Sequence, residues 1–143
     1  MALAARIIKD TVTTSGHSGL VTVLVNMSDT GSDADNLIVD ASALDGHANG
    51  AKLSITRAWW GLSDGVNNDD TGHVIIEFIA AGGSNADTLA LNLSGSGHYD
   101  GTAGKIDNNA TNTTATGGDI QLSALSTSGF VMLELRKNTG WTG

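Results

Sequence analysis

Leu20-Val21-Thr22-Val23-Leu24-Val25-Asn26-Met27 carries an apolar residue at every second position. In an extended chain Val21, Val23, Val25 and Met27 share one side, with Thr22 and Asn26 on the other. That is the signature of a half-buried β-strand, and it recurs on both sides of this stretch. Upstream, residues 5–12 read as a strand closed by the turn-rich Thr13-Thr14-Ser15-Gly16-His17-Ser18-Gly19. Downstream, residues 29–35 are a polar loop and residues 36–40 a short strand.

Residues 52–62 form a strong strand in which Leu53, Ile55, Arg57 and Trp59 alternate with Ser54, Thr56, Ala58 and Trp60. Residues 73–80 form the most apolar one. Val74, Ile76 and Phe78 take one face and Ile75, Glu77 and Ile79 the other, which predicts a central strand. In residues 88–93, Leu89, Leu91 and Leu93 point inward. Residues 94–112 are mostly loop, with a short pairing at Lys105 and Ile106. The last two strands are 119–124, with Ile120 and Leu122 inward, and 130–137. There Val131, Leu133 and Leu135 oppose Phe130, Met132, Glu134 and Arg136. Gly (19 residues) with Asn, Asp, Ser and Thr fills the gaps between these runs, and Pro is absent. Such residues make tight turns. No segment holds a 3.6-residue period for long.

The expected fold is therefore all-β: a single antiparallel β-sandwich of jelly-roll type with about eight strands, in one domain over residues 1–143. Residues 1–10 are a candidate extended arm and residues 138–143 a candidate tail. Residues 41–50 hold at most one helical turn, limited by Gly46 and Gly50.

Composition narrows the function. Seven Lys and Arg face 15 Asp and Glu, a formal charge of -8. That balance argues against nucleic-acid and anionic-membrane partners, which need clustered cations. With no cysteine there is neither a disulfide nor a thiolate metal site. Residues 1–10 lack the apolar core and cleavage pattern of a signal peptide, and no apolar run is long enough to span a bilayer.

No chemistry-bearing constellation stands out. Glu77 and Glu134 are the only glutamates. As a pair they could hydrolyse a glycosidic bond only if the fold brought them together, and surface pairing with Arg57 or Arg136 for Glu134, and likewise for Glu77, is the better reading. His17, His47, His73 and His98 have no metal-ligand spacing. The Asp-rich segment 29–35 fails the EF-hand pattern, and 64–70 has similar ligand types; either could hold a weak cation, with ordinary turn chemistry as the default reading. Ser94-Gly95-Ser96-Gly97-His98 has a Gly-x-Gly with no helix after it, so it is not a dinucleotide loop. No Gly-x-Ser-x-Gly elbow is present. Four Asn-x-Ser/Thr triplets, at Asn26, Asn92, Asn109 and Asn112, carry no weight without a secretion signal. The expectation is no enzyme activity, no cofactor and no metal.

Trp59-Trp60 is the most telling aromatic feature. Neighbours on a strand face opposite ways, so one tryptophan enters the core and the other lies outside. The phase above puts Trp59 inward and leaves Trp60 for a covering loop or a subunit interface. Trp141 is a second candidate for docking on a neighbour.

Three segments together carry a resemblance: Ile55-Thr56-Arg57-Ala58-Trp59-Trp60, then Leu91-Asn92-Leu93-Ser94-Gly95-Ser96-Gly97-His98-Tyr99-Asp100, then Asn108-Asn109-Ala110-Thr111 with Thr116-Gly117-Gly118-Asp119-Ile120. With the apolar strand ending at Lys137, this order resembles small virion structural proteins of tailed bacteriophages, particularly marine and cyanobacterial ones. The resemblance spans residues 55–137. It implies a capsid decoration (cement) protein made in the host cytoplasm, bound to the major capsid protein at the capsid surface, and forming a homo-oligomer, a dimer or a trimer. A tail or neck component and a carbohydrate-binding adhesin are the alternatives, although aromatic side chains for a sugar platform are few. Trp60, Trp141, Trp59, His98 and Tyr99 are the interface candidates.

Overall fold

A computed structural model of the chain describes residues 2–11, 19–47, 51–64, 72–79, 87–108, 118–137 and 141. Among the described residues seven strands run in chain order: β1 (Ala2–Asp10), β2 (Leu20–Val39), β3 (Leu53–Asp64), β4 (His73–Phe78), β5 (Thr88–Leu93), β6 (Ser96–Tyr99) and β7 (Ile120–Lys137). A single 3-10 turn, Ala41–Ala43, follows β2. The fold is all-β and every strand pair is antiparallel. No helix among the described residues is long and apolar enough to cross a membrane.

The long strands β2 and β7 pair along most of their length and form the spine. Beside the C-terminal part of β7 lies β3, followed by β6, while β1 flanks the N-terminal part of β2. This is a five-stranded half. Beside the N-terminal part of β7 lies β4, followed by β5, and with the C-terminal part of β2 they make a four-stranded half. β4 is flanked on both sides, as its two apolar faces predict.

Among the described residues the pairing is continuous in one seven-stranded sheet, so of the expected fold the all-β, antiparallel character is what the pairing shows. The strand count drops because residues 29–35, expected to be a polar loop, continue β2. Their backbone pairs with β7 at Thr30↔Thr127, Ser32↔Leu125 and Asp33↔Ala124. Ladder hydrogen bonds need no apolar side chain, so this continuation leaves no trace in hydrophobic periodicity. The strands at 119–124 and 130–137 fuse into β7 for the same reason. Ser96–Tyr99, expected in a loop, is β6.

One strand can serve both halves because β7 changes phase midway. Its inward residues are Ile120, Leu122 and Ala124, then Val131, Leu133 and Leu135. The even set becomes odd across Ser126, which sits at φ 48, a left-handed conformation that interrupts the alternation of an extended strand. Thr127 Oγ1 donates to Leu125 O (2.6 Å) and lies 3.0 Å from His73 O, which fixes the corner. Gly129, at φ +129, passes so close to β3 that a Cβ would stand 2.0 Å from Gly61 O. The buried residues of both halves form one core, with Val21, Val23 and Val25 from β2, Leu53 and Ile55 from β3, and Ile76 and Phe78 from β4 among them. Full burial of each such side chain stabilises by about 1.5–3 kcal/mol.

The two chain ends meet at Lys137, whose side chain is 0% exposed. Its ammonium donates to Asp10 Oδ1 (2.5 Å), Thr11 O (2.9 Å) and Asp45 O (2.6 Å). Asp10 Oδ2 in turn accepts from Asp45 N at 2.8 Å. Lys137 Nζ also stands 5.1 Å from the ring centroid of Trp141, whose Nε1 donates to Lys52 O at 2.8 Å. Residues 2–10, the candidate arm, are thus a strand of the chain's own sheet, tied down at Asp10. The rest of the candidate tail lies outside the described residues.

Asp119 Oδ1 accepts from Ala41 N (2.8 Å) and so holds the 3-10 turn against the start of β7. Partial burial raises its carboxyl above the ordinary value of 3.8. The Ala41 hydrogen bond and His47 offset part of this, while Asp40 adds to it. A carboxylate whose folded value is raised is favoured in its protonated form by the fold. The resulting penalty is absent below 3.8 and grows as pH rises through the folded value. Asp119→Asn keeps the acceptor and abolishes the charge. Its stability relative to wild type should therefore be higher near neutrality than below pH 3.8, as checked by urea unfolding at both.

Candidate interaction face

A bulge decides which tryptophan faces where. Pairing of β3 with β7 is regular from Leu53 to Ile55 and resumes at Arg57↔Glu134, leaving Thr56 as the extra residue. Thr56 Oγ1 fills the bulge by donating to Glu134 O at 3.0 Å. Past it the inward set becomes Ala58, Trp60 and Leu62. Sequence periodicity, carried unbroken through Thr56, assigned the two faces in reverse. Trp60 packs on the core, donates from Nε1 to Ser94 O (3.1 Å), and lies so close to Gly97 that a Cβ there would stand 2.9 Å from its ring. β6 and Ser94, two residues before it, thus provide the covering segment. Trp59 is the outward tryptophan.

Around Trp59 the outer face of the five-stranded half is organised in rows. Arg6, Leu24, Met132, Trp59 and His98 are successive cross-strand neighbours from β1 to β6. In the adjacent row Phe130, 38% exposed, lies over Gly61, with Asn26 on its other side. The row on the far side runs Lys9, Thr22, Glu134, Arg57. Arg57 Nε stands 3.9 Å from Glu134 Oε1, an exposed pair that contributes at most about 1 kcal/mol. Arg136 lies beyond Glu134 on the same side of β7. Four of the chain's seven Lys and Arg therefore stand on this face against one described carboxylate, Glu134, in a chain with 15 Asp and Glu. An apolar centre rimmed by charge is the anatomy of a protein-binding patch.

The other expected residues separate. His98 is exposed on β6, opposite Trp59. Tyr99 faces the core side and its hydroxyl donates to Gly104 O. Trp141 is 5% exposed and joins the core, so it docks on its own chain and not on a neighbour. Its ring meets His47 edge-on at 5.7 Å. Glu77 and Glu134 lie at opposite ends of β7 and do not form a carboxylate pair. Glu134 pairs with Arg57 as expected. Glu77 takes the amide of Gln121 (3.0 Å), where an arginine was expected. His47, His73 and His98 lie apart, and no metal-ligating group of three acidic or histidine side chains occurs among the described residues. His17 and residues 65–70 lie outside the described residues, as do the side chains at 29–35.

No family model, curated protein or solved structure matches this chain. The face must therefore be read from its own chemistry. Sequence reading missed Arg6, Lys9 and Leu24 as members of it. The signal was partly present in β7, where Phe130, Met132, Glu134 and Arg136 alternate against the core set.

Proposed function

We propose that the protein is a non-enzymatic virion structural protein, a decoration or cement subunit that binds the major capsid protein on the outer surface of the shell. The observation that carries this reading is the outer face itself. Leu24, Trp59, Phe130 and Met132 form an apolar centre on the paired sheet, flanked at one end by Arg6 and along one side by Lys9, Arg57 and Arg136, on a chain that is acidic as a whole. Such a face suits docking on a protein surface more than chemistry on a small molecule. The sequence resemblance to phage virion proteins supplies the setting, a shell on which many subunits assemble. Many modest contacts, repeated over a shell lattice, give avidity that resists outward pressure.

A tail or neck component is the second reading, from the same resemblance. Mass-spectrometric copy counting in purified particles separates the two. Copies in proportion to the major capsid protein are expected for the shell, and a single ring's worth places the protein at the neck or tail. Co-sedimentation with emptied capsids should be lost in Trp59→Ala while folding is kept. Binding to a glycan array without capsid binding would sink the proposal in favour of an adhesin.

A further inference from the structure

The four-stranded half also has an outer face, and its chemistry is opposite. Its central row is Leu37, Gln121, Glu77 and Leu89, cross-strand neighbours from β2 to β5. Leu37 is 51% and Leu89 60% exposed. Between them Gln121 Nε2 donates to Glu77 Oε1 (3.0 Å) and Asp87 Oδ2 (3.1 Å), which fixes both carboxylates beside the two leucines. Leu89 is outward because of a second bulge. The β4–β5 register slips between Ile76 and Glu77, leaving Ala90 extra, so Leu89 leaves the face of Leu91 and Leu93. No Lys or Arg stands on this row or the next one, Ser123, Ile75 and Asn92.

One chain thus presents a basic apolar face and an acidic apolar face. We infer that the occupant of the basic face is the acidic face of a second copy, in a head-to-tail contact. Pairing two basic faces across a twofold axis would set Arg6, Lys9, Arg57 and Arg136 against themselves, and like-charge juxtaposition is costly. Head-to-tail contact sets cations against Glu77 and Asp87, and exposed leucines against Phe130 and Trp59. Such a contact is heterologous, so it closes into a ring or extends into a filament. This deepens the assembly reading and rests on it: the basic face joins subunit to subunit, and the joined subunits hold the shell lattice by avidity, so that loss of Trp59 weakens capsid binding through lost self-association.

The test is sedimentation of the purified chain over a range of concentrations and salt. Wild type should form oligomers beyond the dimer that dissociate as salt rises. Arg6→Glu with Lys9→Glu blocks the basic face, and Leu37→Lys with Leu89→Lys blocks the acidic one. All four side chains are exposed, so folding, followed by circular dichroism, should persist. Each double variant alone should weaken self-association about tenfold or more. Mixed, they should recover a one-to-one dimer that grows no further, because each brings one intact face. A wild-type chain that stays monomeric throughout overturns the inference, whatever the copy count in particles. So does an oligomer that the Leu37 and Leu89 changes leave intact, which would mark twofold or edge-strand pairing, and so does a monomer that instead retards a DNA duplex.

Discussion

Lys137→Met is expected to lower the unfolding free energy by about 3–5 kcal/mol, the cost of removing one partner from a buried ion pair. The side chain is wholly enclosed, and its three donors are matched to three acceptors from different parts of the chain. Methionine fills the space but supplies no donor. Asp10 loses its counter-charge, and the carbonyls of Thr11 and Asp45 lose their hydrogen bonds. Asp10→Asn should cost clearly less, because the ammonium keeps two carbonyls and the amide oxygen can still accept. Arginine is not a conservative replacement, since a planar fork does not fit a slot built around a compact ammonium. The Lys137→Met loss should be nearly independent of salt, as burial excludes screening ions. Urea unfolding of the two variants at low and high salt measures all three expectations. A Lys137→Met cost under about 1 kcal/mol would mean that the ammonium does not hold the chain ends together.

Nothing in the sequence marks Lys137 for burial. It ends an alternating strand where a solvated cation is the ordinary reading, and its acceptors come from positions 10, 11 and 45, joined only by the fold. Trp141 is the same case: four residues beyond β7, it resembles an exposed anchor and is instead part of the core. By contrast, the central place of β4 was legible because both its faces are apolar, and the inward set Val21, Val23, Val25 and Met27 because alternation over residues 20–27 is unbroken. Failures of sequence reading cluster where the period of two slips by one residue. Thr56 reverses the tryptophans, and Ala90 turns Leu89 outward. A bulge shifts every later side chain to the other face, and its determinant is backbone geometry at one residue. The interaction face inherits that difficulty, since its members are defined by the phase that follows each bulge.

The bulge at Thr56 makes a sharp distinction between adjacent residues. Trp60→Ala should destabilise the fold by about 2–3 kcal/mol, below the range for a fully buried tryptophan because part of its ring is exposed. The loss combines the cavity on the core side with the Nε1–Ser94 hydrogen bond and the contact with Gly97 that holds β6 in place. Trp60→Phe separates these, since it retains an aromatic ring and loses only the donor, at about 1 kcal/mol. Trp59→Ala should change stability by less than about 1 kcal/mol, as expected for a surface substitution with few core contacts. At a docking face, however, tryptophan is the side chain most often at the energetic centre, where truncation costs about 2 kcal/mol or more. Trp59→Ala should therefore weaken association more than tenfold while leaving the urea midpoint nearly unchanged, and Trp60→Ala should lower the midpoint. Thermal and urea unfolding beside sedimentation of the same preparations read both effects. The reverse pattern would mean that β3 keeps an unbroken alternation through Thr56, which would put Trp60, and not Trp59, on the outer face.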